Sequence, residues 1–150
     1  MKEMGERSMR GQLTVTGGVG RKTLLIEDGL INQGYRVKSF DVWQSEASTD
    51  ADNFSAVLTM DVLGSPVSMN ASDNRQIGWA FQLSIGTSSI GPYRSVLDPD
   101  HIAVRDLFIQ MVGGDSTYNY LIVFEKYELT DDEAIIPVSY THLRAHETDR

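Results

Sequence analysis

Three histidines, no cysteine and 21 acidic side chains limit the chemistry open to this chain of 150 residues. His142 and His146 stand four apart, the spacing that places two imidazoles on one helix face as a metal pair. His101 closes the string "DPDH", where Asp98 and Asp100 stand beside it as carboxylates beside a base or zinc ligand would. "TVTGGVGRKT", Thr14 to Thr23, has the look of a phosphate loop, with glycines leading into Lys22-Thr23. "STDADN" offers Asp50, Asp52 and Asn53 as hard oxygen ligands for calcium. Trp43 and Tyr93 lie beside polar stretches and are the two aromatic side chains placed to act as a glycan platform.

Each signal has a plainer account. A phosphate loop needs glycine directly before its lysine and another five positions earlier, and here those places hold Arg21 and Thr16. The glycines therefore read as a hairpin turn. In the acidic string, Phe54 occupies the place of a third calcium ligand, which leaves a solvated loop. Turn formation accounts for Asp98 and Pro99, and one imidazole with no nucleophile or second histidine nearby is a weak basis for catalysis. Thiol chemistry and cysteine metal sites are excluded outright. No catalytic residue, cofactor or metal site is expected, and the chain reads as a protein that is not an enzyme.

The elements that would position these residues are strands. "QLTVT" alternates up to Gly17, and "KTLLIE" follows from Lys22 to Glu27 as a second strand. In "YRVKSFDVWQ" the apolar face moves from Tyr35 and Val37 to Phe40 and Val42, which predicts a bulge near Lys38. "FSAVLTM" puts Phe54, Ala56, Leu58 and Met60 on one face. "IGWAFQLSI" puts Ile77, Trp79, Phe81, Leu83 and Ile85 on one face, a pattern that predicts a buried Trp79. Leu107, Ile109 and Met111 form another apolar face, and "YNYLIVFEKYEL" is apolar on both faces at its centre, as a central strand should be. Seven or so strands joined by Gly, Asp, Asn and Ser turns predict a single all-β domain, an antiparallel sandwich or jelly roll. Residues Met1 to Met9 read as a flexible arm, or as untranslated sequence if translation starts at Met9.

One helix is announced. Thr130 and Glu133 form a capping box, Asp131 and Asp132 suit the first turn, and Ala134 to Ile136 begin an apolar stripe. Pro137 then stops it, and "VSYTHLRAHET", Val138 to Thr148, has no period. That string resembles one translated frame of the adapter used in transposon-based sequencing libraries. The resemblance implies that residues 137–150 are foreign to the natural protein and that His142 and His146 form no site.

A net charge of −8 argues against nucleic acid as the main partner, and no apolar run reaches the roughly 20 residues of a membrane span. "RGQLTVTG", "IEDGLINQGYRVKSF", "DNRQIGWAF", "VLDPDHIAVRDLFI" and "NYLIVFEKYELTDDEAI" together resemble uncharacterised small virion-associated proteins of uncultured marine viruses, over Arg10 to Ile136. The resemblance implies a structural component of a virion, made in the host cytoplasm, that binds copies of itself or other virion proteins. A carbohydrate-binding sandwich is the alternative, and an enzyme of unknown type the third.

Overall fold

The structure, a computed structural model, describes residues 2–25, 33–45, 53–85 and 89–128. The announced helix at Thr130, the tail with His142 and His146, and the loop residues Asp50 and Asp52 lie outside them. The described chain is all β. Its strands are β1 (Lys2–Val15), β2 (Val19–Leu24), β3 (Gln33–Gln44), β4 (Phe54–Thr59), β5 (Gln76–Gln82), β6 (Ser84–Ile85), β7 (Ser89–Ile90), β8 (Arg94–Leu97), β9 (Leu107–Gly113) and β10 (Ser116–Glu128). One sheet has the order β1-β10-β3 and the other β2-β9-β4-β5-β8, with β6 and β7 a separate short hairpin. All pairings are antiparallel.

The two large sheets share one core, so the domain is a β-sandwich. Leu13, Phe40, Val42, Tyr118 and Ile122 enter it from the first sheet, and Leu24, Ala56, Leu58, Ile109 and Met111 from the second. β10 is the middle strand of its sheet, as its doubly apolar centre requires. The bulge falls at Lys38: Val123 pairs with Ser39 and Phe124 with Val37, and the extra residue moves Phe40 and Val42 onto the core face. Lys2 to Met9, read from sequence as an arm, are the first part of β1 and pair with β10 as far as Glu128.

The glycine turn is tight. Gly17 and Gly18 have φ of 65° and 85°, the positive values that a two-residue hairpin turn needs, and Thr16 and Val19 exchange backbone bonds of 3.0 and 3.4 Å. Yet β1 bonds to β10 and β2 to β9, so this turn carries the chain from one sheet to the other.

β5 departs from its sequence pattern. A register shift opposite Leu58 and Thr59 places Ile77, Gly78 and Ala80 toward the core, and turns Trp79 and Phe81 to the outer face. Gly78 suits this position, because a Cβ would lie 2.8 Å from Leu97 Cδ2, pressing that side chain aside, and 3.4 Å from Phe40 Cδ2 of the facing sheet. Trp79 is only half-buried, and Leu83 is exposed. The outer face is apolar because the stretch from Asp61 to Arg75 folds back over it. Gln110 reaches out from β9, accepting from the Leu63 N–H at 2.9 Å and donating to the Leu63 carbonyl at 3.0 Å. Gln76 likewise donates to the Ser68 carbonyl at 2.9 Å and accepts from the Asn70 N–H at 2.8 Å and the Trp79 indole at 2.9 Å.

Candidate functional site

The glycine hairpin already holds an anion, and the anion is internal. The Asp115 carboxylate accepts from the Gly17 N–H at 3.1 Å and the Gly18 N–H at 2.9 Å. Two adjacent amides with positive φ make a concave donor pair of the kind that binds phosphate, and here the β9–β10 turn fills it with its own carboxylate.

His101 is buried and acts as a latch. Its Nε2 accepts from the Val37 N–H at 3.0 Å, which leaves the proton on Nδ1, where it is donated to the Asp98 carbonyl. The Asp98 carboxylate accepts from the Asp100 N–H at 2.9 Å. Both ring nitrogens are thus bonded to backbone groups and neither to a carboxylate. Burial, with Arg36 adding to it against the pull of Asp98, pushes the His101 pKa below its ordinary value of 6.5. The unfolded chain therefore binds more protons than the folded one as pH falls, so the stability His101 contributes is complete above about pH 6.5 and declines below it. A lower melting temperature at about pH 5 than at neutrality is expected, and His101→Gln should flatten that dependence. An identical pH profile in both proteins would remove His101 from the account.

Trp43 and Tyr93, the two residues of the expected glycan platform, have different fates. Tyr93 is tied down: its hydroxyl accepts from the Val42 N–H at 3.1 Å and donates to Asp41 Oδ1 at 3.0 Å, and its ring lies 6.4 Å from Phe54. Burial, helped by the Asp41 carboxylate, pushes its phenol up to about 12. Trp43 is 48 % exposed and lines a cleft of about 560 Å³ with Arg10, Gln12, Asn119 and Leu121. In that cleft Gln12 Nε2 donates to Asn119 Oδ1 at 2.9 Å. Among the described residues, no group of three His, Asp or Glu side chains is placed to hold a metal ion.

Tyr93 and His101 belong to a larger arrangement that sequence reading missed. Both sit on the segment from Gly91 to Ala103, which runs along the outer edge of β3 and satisfies its backbone. Ala103 exchanges two backbone bonds of 2.8 Å with Tyr35, His101 takes the Val37 N–H, Ser95 donates to the Phe40 carbonyl, and Tyr93 takes the Val42 N–H. An open strand edge invites pairing with another chain, and this one is covered along its length.

β1 forms the opposite edge of the same sheet, and it is treated differently. Near the hairpin β2 lies close, since a Cβ on Gly20 would meet the Thr14 carbonyl at 2.8 Å. From Glu6 to Arg10 no described residue bonds to its outer side. Gly5, Glu6, Arg7 and Ser8 are exposed, so both faces of the strand meet solvent here. No known family, curated protein or solved structure matches this chain.

Proposed function

We propose that this domain is a non-enzymatic building block of a repeated assembly, joining copies of itself or neighbouring proteins, and that the assembly is a virion, in keeping with the resemblance of Arg10 to Ile136. The observation that carries the reading is the inequality of the two edges of one sheet. β3 has its edge amides and carbonyls capped by Tyr93, Ser95, His101 and Ala103, whereas the stretch Glu6 to Arg10 of β1 has no such cover among the described residues. A long free edge is normally blunted, and it persists where strand addition is its use.

The test is light scattering of the 150-residue chain across protein concentration in seawater-level salt, where repulsion between copies of charge −8 is screened. A mass that rises reversibly above 16.7 kDa is expected. A mass that stays there at every concentration, with no attachment to a virion protein, would overturn the reading. The competing carbohydrate-binding role has one observation in its favour, the exposed Trp43 in a cleft with Gln12 and Asn119. Quenching of Trp43 fluorescence by a neutral oligosaccharide, with the protein still monomeric, would put that role first.

A further inference from the structure

We infer that the partner of the β1 edge is a second copy of this chain, added antiparallel about a two-fold axis at Ser8. The inference rests on the assembly reading above and deepens it to a register.

A two-fold axis perpendicular to a sheet keeps each side chain on its own face, so only residues of like orientation can oppose one another. On β1, Glu6, Ser8 and Arg10 share the outer face, opposite Glu125, Val123 and Leu121 of β10, and Gly5, Arg7, Met9 and Gly11 share the other. Centring the axis on Ser8 sets Glu6 against the second copy's Arg10 and Arg10 against its Glu6. On the other face Arg7 meets Met9, so that the arginine stem covers a thioether, and Gly5 meets Gly11. The neighbouring registers are worse. An axis at Arg7 opposes arginine to arginine, an axis at Glu6 opposes glutamate to glutamate, and an axis at Met9 leaves Glu6 against Gln12 and forms no ion pair.

Within one copy, neither charge has an ion-pair partner among the described residues. Glu6 stands opposite Glu125, whose carboxylate is already engaged by Lys38 Nζ at 3.2 Å and by the Tyr127 hydroxyl. Arg10 stands opposite Leu121, an apolar residue. The second copy supplies each with its opposite charge, next to a like-charged or apolar neighbour. The limits of the paired stretch are also set. The irregularity between Glu3 and Gly5, where Gly5 has φ of 125°, ends regular strand geometry on one side, and the approach of β2 to Thr14 ends the free edge on the other.

The chain has no cysteine, so a single introduced thiol reports the register without interference. Ser8→Cys should form a covalent dimer under oxidation or with a short thiol crosslinker, because the two side chains meet at the axis. Thr14→Cys, also exposed and on the same face, should not, since its copies would be roughly 40 Å apart at about 3.3 Å per residue. In parallel, Glu6→Arg or Arg10→Glu alone should weaken association by about tenfold, because the axis repeats each substitution, and the two together should restore it. Circular dichroism at low concentration confirms that each variant folds. Equal crosslinking of both cysteine variants, or a double variant no better than either single, overturns the register while concentration-dependent mass keeps the assembly reading. A wild-type chain that is monomeric throughout removes both.

Discussion

Phe40→Ala is expected to be the most damaging single substitution in the domain, costing about 3–5 kcal/mol. Phe40 is fully buried, and it reaches from β3 across the sandwich to the space that Gly78 leaves on β5, with Leu58 and Leu97 around that glycine. No neighbour can move in to fill the void, because the facing position has no side chain and the flanking backbone is held by the Ser95 bond to the Phe40 carbonyl. Against the roughly 5–15 kcal/mol that holds a domain of this size together, such a loss shifts the urea midpoint sharply or leaves the protein unfolded. Trp79→Ala provides the contrast. The indole is larger, but it is half-buried on the outer face, so its removal should cost less than that of Phe40. The reverse order of midpoints would place the core on the wrong side of β5.

Gln110→Ala is expected to follow, at about 2–3 kcal/mol, by a different mechanism. The amide of Gln110 pairs with both the N–H and the carbonyl of Leu63, and all three groups are buried. Without it, two backbone groups lose their partners in a dry site, or the stretch from Asp61 to Arg75 lifts and exposes the apolar outer face of β4 and β5. Hydrogen exchange distinguishes these results: amides from Asp61 to Arg75 should exchange faster while those of β10 stay protected. Gln110→Glu should cost at least as much, since a carboxylate keeps the acceptor for the Leu63 N–H but sets a buried charge against the Leu63 carbonyl. Unchanged exchange at Leu63 would show that Gln110 does not hold the loop.

What could be read directly was local. The change of apolar phase between Val37 and Phe40 required one extra residue, and the register slips at Lys38. The doubly apolar centre of "YNYLIVFEKYEL" pointed to a central strand, and β10 is the middle strand of its sheet, with one face buried and the other half-buried. Adjacent glycines after "LTVT" required a turn with positive φ. Alternating strands joined by Gly, Asp, Asn and Ser turns sufficed for an all-β sandwich. These readings hold because strand periodicity and turn stereochemistry depend on a few consecutive residues.

Only the tertiary structure decided which sheet each strand joined and which face became the core. β5 is the clearest case: alternation put Trp79 and Phe81 together, but whether that set faced inward depended on the bulge opposite β4 and on a loop that covers the outside through Gln76 and Gln110. His101 was visible as an imidazole beside Asp98 and Asp100, but its partner is the Val37 amide, 64 positions away. Gly17 and Gly18 read as a hairpin turn, and only the fold shows that their amides form a donor pair filled by Asp115, nearly a hundred residues on. The contrast between a capped β3 edge and an open β1 edge could not be inferred from either strand, because an edge exists only once the sheet order is set. Long-range pairing chooses among faces and neighbours that local sequence leaves equivalent, and in this protein the surfaces available to a partner follow from that choice.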